Sequence, residues 1–530
     1  MRIVQFVHGY PPEFVAGTER YTQGLSRMLV AHGHACLVIA GSERTASQPS
    51  MAVEWDGGVQ IVRLIGCAGP DDRRPSVHNP PAEELIRWLL DLWRPEVAHV
   101  QHWMRLTNTV VGVCREFNLP TVVTLHDQWV ACTRVHRFQP GEQLCSDLEA
   151  PCLSCVERDP WQRDWEIGER LSLRQRILER ELRLAHRLLV PSAAQQDFLR
   201  QIVPAIPDRL EVVPLALPVR RRDRIDLPEK GYSNGPFRIG HWGYLAPGKG
   251  VHLLLEAAQL LPPDQRIEWH LYGLSSGPPY EERLERLAAG RSVFFHGRYT
   301  FEDVQSAGLD LAVFPSLCYE TYSFVLDEAF SLGLPVVASN KGAFPERIGE
   351  AGLVFQQGDP GDLAKTIAWL LKNPAELARL KRAVSTGKVV PMEEHVTRLE
   401  KIYGEVVESR EPERDADLAE REFLLHLHRV VEDRDREIQR LRGHVAEQER
   451  AVKEQERAVK EQERAIRNLE ERLRQTEQTV LDREAALQQT RQALEMLQSD
   501  HANLRAHLLH LKQTPLFQLH ELLKKLLKRP

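Results

Sequence analysis

Short apolar runs and amphipathic stretches alternate along most of the chain, and a seven-residue rhythm takes over near its end. Residues 3–7 read as a buried strand, residues 18–32 as an amphipathic helix stopped by Gly33, and "ACLVIAG" at 35–41 as the next strand. Strand, helix, strand in that order predicts a parallel βαβ unit at the start of the chain. Apolar runs at 97–100, 121–125 and 187–190, with helical stretches such as 82–92 between them, continue the pattern. A proline- and arginine-rich segment at 214–236 then breaks the periodicity and reads as a linker. Beyond it the alternation restarts: "FRIGHWG", a helix over 251–261, "IEWHLYG", a helix over 280–289, "VFFHG", a helix around 301–307, "LDLAVFPS" and "PVVAS". Two alternating runs predict an α/β protein of two doubly wound, Rossmann-like domains, 1–213 and 237–385, facing each other across a cleft.

From about residue 414 the period becomes seven. Val431, Ile438, Val445, Val452, Val459, Ile466, Leu473, Val480, Leu487, Leu494 and Leu508 fall at multiples of seven, and "EQERAVK" occurs twice in succession. This predicts a heptad helix over 414–512, of which the run from Val431 to Leu508 alone is on the order of 120 Å long. Its companion positions are mixed, with Leu441, Leu469, Leu497, Leu504 and Leu511 but also Gln448, Gln455, Gln462, Thr476, Arg483 and Thr490. A two-stranded coiled coil that dimerises the chain or docks it to an assembly is one reading, and a solvated single helix is the other. The last stretch, 515–530, sets Leu516, Leu519, Leu522, Leu523, Leu526 and Leu527 on one face beside Lys524, Lys525, Lys528 and Arg529. Such a basic amphipathic helix suits an anionic membrane surface or packing against a partner.

Composition narrows the classes. The chain has 530 residues, enough for two or three domains. A formal net charge of -6 supplies no global attraction to nucleic acid, so an anionic ligand must be met locally. No run reaches the ~18 apolar residues of a membrane span, and "MRIVQFVHG" lacks the pattern of a signal peptide. The expectation is a cytoplasmic protein, peripheral to a membrane at most, whose eight cysteines stay reduced unless a metal holds them.

The candidate chemistry lies in "PSLCYETYSFVLDEAF" (315–330), where Glu320 and Glu328 stand eight residues apart at the junction of an apolar strand and an apolar helix expected to begin near Tyr322. The open amides of a helix N-terminus favour phosphate, so Thr321, Tyr322 and Ser323 form a candidate cradle. Carboxylates beside a phosphate repel it and are better suited to accept hydrogen bonds from hydroxyls. A ligand with a diphosphate between two polyhydroxyl groups, a nucleotide sugar, meets both demands, with Glu320 at the sugar and Glu328 at the ribose. In a chain that is 27% charged, two acids at this spacing are also compatible with accident.

The surrounding motifs carry a resemblance. "PS", Glu320, seven residues, Glu328 and "AFSLGLPVVASNKGAFPE" resemble the E-x7-E signature of retaining GT-B glycosyltransferases of family 4. "GYPPEFVAGTERYTQGLSRMLVAHGHACLVIAG" is similar to the family's N-terminal loop and helix, with Ala16-Gly17 where two glycines are usual. "VVTLHDQW" resembles the strand that ends in an active-site histidine, here His126. "GYLAPGKGVHLLLEAA", from Gly243, resembles the phosphate turn ending in Lys249-Gly250, and "EHVTRLEKIYGEVV" the closing helix, 386–410, that crosses back to the first domain. The resemblance implies transfer of a sugar from a nucleotide-diphosphate donor, held by the second domain, to a hydroxyl of a glycan or glycolipid acceptor at the first, as in surface polysaccharide synthesis. His126 would bond the donor sugar, and no cofactor or divalent metal is required for catalysis. Tyr244 stands where relatives carry an arginine for the diphosphate, and Arg298 is a candidate substitute. The nucleobase is expected near residues 296–300.

Four cysteines, Cys132, Cys145, Cys152 and Cys155, include a C-x2-C pair and suit a structural zinc ion, with His136 as a reserve ligand; disulfides or free thiols are the rivals. Cys36, Cys67, Cys114 and Cys318 lie in or near apolar runs and read as core. A P-loop at Gly243–Lys249 is rejected because Gly250 stands where Ser or Thr must bind magnesium. Asp71-Asp72, in a polar loop, offers no metal-binding pair at a strand end. A nucleotide-sugar epimerase of the same architecture, and a non-catalytic scaffold built around the heptad helix, are the other classes the sequence leaves open.

Overall fold

A computed structural model describes residues 1–67, 78–139, 142–145, 152–157, 162–203, 206, 209–217, 235–384, 389–409 and 415–526. It divides into two units, 1–428 and 429–530. Asp71-Asp72, most of the stretch 214–236, and Leu527, Lys528 and Arg529 fall outside the described residues.

Among the described residues the first unit holds a two-stranded sheet, Phe138–Gln139 with Gln143–Leu144, and two large ones. One has eight strands in the order Leu210–Val212, Arg187–Val190, Thr121–Thr124, Val97–Val100, Arg2–Val7, Ala35–Gly41, Val59–Ile65 and Ser50–Asp56. Neighbours are parallel except the last pair, an antiparallel hairpin turning at Gly57 and Gly58, both at positive φ. The other sheet has six parallel strands: Ser292–Gly297, Ile267–Tyr272, Phe237–Trp242, Leu311–Phe314, Val336–Ser339 and Gly352–Phe355. Helices cover both faces, so strands such as Leu311–Phe314 are buried along their whole length. That is why they read as unbroken apolar runs rather than alternating ones. The outer hairpin strand Ser50–Asp56 alternates instead, leaving Val53 and Trp55 exposed.

In the six-stranded sheet the strand order reverses between Phe237–Trp242 and Leu311–Phe314, which pair at Ile239 with Leu311 and Gly240 with Ala312. The carboxyl ends of these two strands therefore flank the crevice where such sheets bind ligands. The turn carrying Lys249 leaves one and the loop carrying Glu320 leaves the other.

The helix Met392–Glu408 packs on the first domain. Val396, Leu399, Ile402 and Tyr403 join one apolar cluster with Ile3, Tyr21, Leu25 and Leu29. Two polar contacts fix it: His395 Nε2 lies 2.7 Å from the Tyr21 hydroxyl, and the Tyr403 hydroxyl 2.6 Å from His99 Nδ1. Residues 215–217 at the head of the supposed linker belong to the same cluster through Leu215 and Ala216, so this part is core rather than tether. The helix after Glu320 begins at Phe324, two residues later than the sequence suggests, because Ser323 takes a left-handed conformation at φ 72°.

The second unit is helical. The helix Asp415–Gln513 of 99 residues leads to it, and Pro515–Leu526 follows. The apolar residues at seven-residue spacing from Val445 onward are all exposed on this one chain.

Candidate functional site

The turn after Phe237–Trp242 is built around glycines. Gly243 sits at φ 123°, and Gly250 at φ 70° approaches the opposite loop so closely that a Cβ there would lie 1.9 Å from the Pro315 carbonyl oxygen. The Gly248 carbonyl accepts the amides of Leu317 and Cys318, both at 2.9 Å, and the Ser316 hydroxyl at 3.2 Å. These bonds lock turn to loop and set Lys249 Nζ 2.7 Å from Glu320 Oε1, which also accepts the Ser316 hydroxyl at 2.7 Å. Behind Glu320 its carbonyl accepts the Ala343 amide at 2.8 Å. Burial disfavours ionising Glu320, but Lys249 and Ser316 outweigh it and hold the carboxyl below its ordinary range. Burial likewise opposes the Lys249 charge, and Glu320 more than restores it. The lysine side chain remains 41% exposed, so it is open to a ligand.

Glu328 is buried one turn into the helix Phe324–Ser331. Its Oε2 accepts the Trp242 indole N–H at 2.8 Å, and Arg20 of the first domain reaches within 3.8 Å of Oε1. Burial raises its pKa, moderated by Arg20 and Trp242. At the head of the helix the amides of Tyr322, Ser323, Phe324 and Val325 meet no acceptor among the described residues. Arg347 braces this corner: it lies 3.6 Å over the Tyr322 ring and donates to the carbonyls of Tyr322 and Ser323 at 2.8 and 3.0 Å. Gly17 opens the first domain's leading helix, Gly17–Ala31, directly opposite; a Cβ there would meet the Phe324 ring at 3.1 Å.

The facing wall belongs to the first domain. His126 follows strand Thr121–Thr124, and its Nε2–H donates to Gln101 Oε1 at 2.7 Å. Gln101 donates in turn to Gln5, and Gln5 to Ser26, each at 2.9 Å. Burial drives the His126 pKa down to about 3, so the ring is neutral at ordinary pH. Beside it the Met104 amide donates to His102 Nδ1, which puts the His102 proton on Nε2, 3.1 Å from Asp127 Oδ2. Burial opposes ionisation of Asp127, yet His102 holds its carboxyl well below the usual range. His8 Nε2 pairs with Glu19 at 2.8 Å, and its ring lies 4.4 Å from that of His102.

Two expected cradle side chains do other work. The Thr321 hydroxyl donates to the His126 carbonyl at 2.5 Å, and the Tyr322 hydroxyl bonds the Leu215 carbonyl. Both join the domains, so the backbone amides and the Ser323 side chain remain at this corner for a ligand. Ser192 donates to the Thr321 carbonyl at 2.8 Å and Tyr319 to the Ala194 carbonyl at 2.8 Å, completing the seam. Tyr244 is 57% exposed, and Arg298 stands on the exposed turn after Ser292–Gly297.

The cysteine-bearing segment reaches the donor side. Phe138 borders Gly248, and Glu142 pairs with Arg283 at 2.6 Å. Cys132, Cys145, Cys152 and Cys155 feel one another electrostatically, and none forms a disulfide. Among the described residues, however, no group of three or more His, Cys, Asp or Glu is placed to hold a metal ion. No metal enters the reaction proposed below. His136 is exposed and feels Lys249, Asp127 and Glu320 rather than joining them. Cys36, Cys67, Cys114 and Cys318 are buried.

Residues 15–221 match the family model "Glycosyltransferase Family 4" and residues 236–373 the model "Glycosyl transferases group 1", one for each sheet domain. The chain carries the two domains of a family 4 glycosyltransferase. This glycosyltransferase is 26% identical over 400 residues to a glycogen synthase of Mycobacterium tuberculosis, covering 72% of the chain and 89% of that protein. It is 32% identical over 201 residues to an MMP alpha-(1->4)-mannosyltransferase of Mycolicibacterium hassiacum, covering 36% of the chain and 47% of that protein. In fold it is similar to sucrose-phosphate synthase from Thermosynechococcus elongatus, at 19% identity and a TM-score of 0.55 over 77% of this chain and all of that one. HepE of Anabaena, solved with UDP and glucose, matches at 15% identity and a TM-score of 0.52 over 76% of this chain and all of that one. The two parallel-sheet domains of the glycosyltransferase are thus arranged as in the GT-B fold.

Sequence reasoning did not single out Arg20, Gln101, His102, Ser316 or Trp242. All but Ser316, which bonds Glu320 four residues on, act through a partner distant in the sequence. Only the neighbouring "GTERY" and "LHDQW" segments hinted that the first domain contributes more than His126.

Proposed function

We propose that this glycosyltransferase moves a sugar from a nucleotide-diphosphate sugar to a hydroxyl of a glycan or glycolipid acceptor with retention at the anomeric carbon. The observation that carries this reading is the Lys249–Glu320 pair at the strand-order reversal, beside a helix head with unmet amides and with Glu328 eight residues on. A diphosphate draws Lys249 away from Glu320 and takes the amides of residues 322–325. Glu320, released, accepts sugar hydroxyls, while Glu328, oriented by Trp242, accepts those of the ribose. The bond from the anomeric carbon to the phosphate oxygen breaks, its electron pair stays on that oxygen, and the same phosphate takes the acceptor proton as the new C–O bond forms on that face. His126, neutral and fixed through Gln101, bonds the donor sugar as positive character develops. Arg20 supplies a cation near Glu328 that Tyr244 does not.

HepE was solved with UDP-glucose, and several relatives are mannosyltransferases, so UDP- and GDP-sugars are the donors to try first. No helix among the described residues is long and apolar enough to cross a membrane. The exposed leucines and lysines of Pro515–Leu526 support peripheral contact with an anionic membrane, where a lipid-linked acceptor would be found. Titration calorimetry against UDP-, GDP- and ADP-sugars, followed by a transfer assay, tests the reading. Glu320→Gln and Lys249→Ala are each expected to cut transfer by about a hundredfold or more without unfolding the protein. Full turnover in either variant, or no binding of any nucleotide sugar, overturns it.

A further inference from the structure

We infer that the helix Asp415–Gln513 pairs with a second copy of this chain as a parallel, in-register, two-stranded coiled coil. On one chain the stripe Val445, Val452, Val459, Ile466, Leu473, Val480, Leu487, Leu494 and Leu508 is exposed throughout. Leu469, Leu497, Leu504 and Leu511, three residues further along their heptads, are exposed beside it. An isolated helix gains little from such a stripe, because pairs within it such as Leu469 with Leu473 support a helix only weakly, whereas a partner helix buries the whole face. A strict spacing of seven is the repeat that keeps one face turned to a partner helix that winds left-handedly around it. Ile466 with Leu469 three residues on is the β-branched and leucine pairing that favours two strands over three or four.

The choice of a second copy, and of its direction, follows from the inner polar positions and the flanking charges. In a parallel in-register pair each layer faces its own copy. Gln448, Gln455 and Gln462 then meet glutamines, amide to amide, and Leu469, Leu497, Leu504 and Leu511 meet leucines. An antiparallel pair sets the glutamine-rich half of one copy against the leucine-rich half of the other, burying amides against side chains that cannot bond them. The charges agree. In the parallel arrangement, flanking positions five residues apart in sequence come together between copies: Arg472 with Glu477, and Asp500 with Arg505, while Ala451, Ala458 and Ala465 face glutamates without charge conflict. The antiparallel arrangement centred on the same region brings Glu477 against its own copy and Glu470 against Glu484. The doubled "EQERAVK" segment alone would tolerate a slip of one heptad; the less regular half from Ile466 to Leu511 fixes the register.

The test uses the full chain. Light scattering after size-exclusion chromatography at about 10 µM should give twice the chain mass, a concentration that matters because the pair is in mass-action equilibrium. The triple variant Ile466→Glu, Leu469→Glu, Leu473→Glu should give the single-chain mass. Val452→Cys, at a layer where matching residues face each other, should form a reducible covalent dimer on mild oxidation. Arg457→Cys, on the outer face, and the unaltered chain with its native thiols should not. A single-chain or threefold mass for the unaltered chain overturns the inference, as does a triple variant that stays dimeric. Failure of Val452→Cys to cross-link in a chain that is dimeric overturns the parallel register.

Discussion

Gly250 is the residue on which the donor turn depends. At φ 70° a non-glycine residue is strained, and the Pro315 carbonyl occupies the place of any side chain. Gly250→Ala should therefore lower stability by ~1–3 kcal/mol and, by moving Lys249, weaken donor binding more than it weakens the fold. Chemical denaturation and calorimetry with a nucleotide sugar, run on the same preparations, measure the two effects. Glu320, Glu328, Lys249 and His126 were legible in the sequence because strand ends and glycine turns mark where side chains point into a crevice. Arg20 and Trp242 were not, since their value lies in reaching Glu328 from another lobe and another strand, which no local spacing encodes. The hydroxyls of Thr321 and Tyr322 were hidden for the same reason: they bond distant carbonyls of the first domain, while the Tyr322 amide stays open.

Among the elements, buried parallel strands were the most legible and the outer hairpin the least. Leu311–Phe314 and Val97–Val100 are buried from end to end and apolar but for His99, whereas Ser50–Asp56 has one face in solvent and blends with turn-like sequence around it. The long helix Asp164–Leu184 escaped notice because arginines and glutamates dominate it, although it buries Ile167, Ile177, Leu178 and Leu182. Conversely the seven-residue helix was plain, because periodicity survives without tertiary context. The short helix Pro515–Leu526 carries its own prediction. Leu516, Leu519, Leu522 and Leu523 are exposed next to Lys524 and Lys525. Leu519→Glu with Leu523→Glu should lower sedimentation with phosphatidylglycerol vesicles by about a hundredfold in partition coefficient, from the apolar area withdrawn. Phosphatidylcholine vesicles should bind the unaltered chain only weakly. Equal binding by the variant removes the membrane role of this helix.

For the whole molecule, buried titratable groups fix the response to pH. His126 is held at about 3, His241, His252 and His395 at about 4, and His99 well below its ordinary value, all chiefly by burial. From pH 6.5 down to about 4 the unfolded chain binds protons that these rings refuse, so stability falls on acidification. Glu181, raised to about 7, Asp327, raised to about 6, and Glu328 run the other way but are fewer. Thermal unfolding of the full chain should show its midpoint dropping steadily across that window; a midpoint that rises toward pH 4.5 would contradict the packing described. The two-domain plan was readable in the sequence as two separate alternations. The seam between them was not, because its bonds and ion pairs, such as Thr321 with the His126 carbonyl and Arg20 with Glu328, join residues far apart in the sequence.

Glu19 and Arg20 are adjacent on the opening turn of one helix, yet one is committed to His8 on its own side while the other spans the gap to Glu328. If the lobes gape, Glu19 loses nothing and Arg20 loses its counter-ion. That first turn is therefore a gauge of how wide the mouth stands, and the Glu328 end of the crevice is the end that registers it.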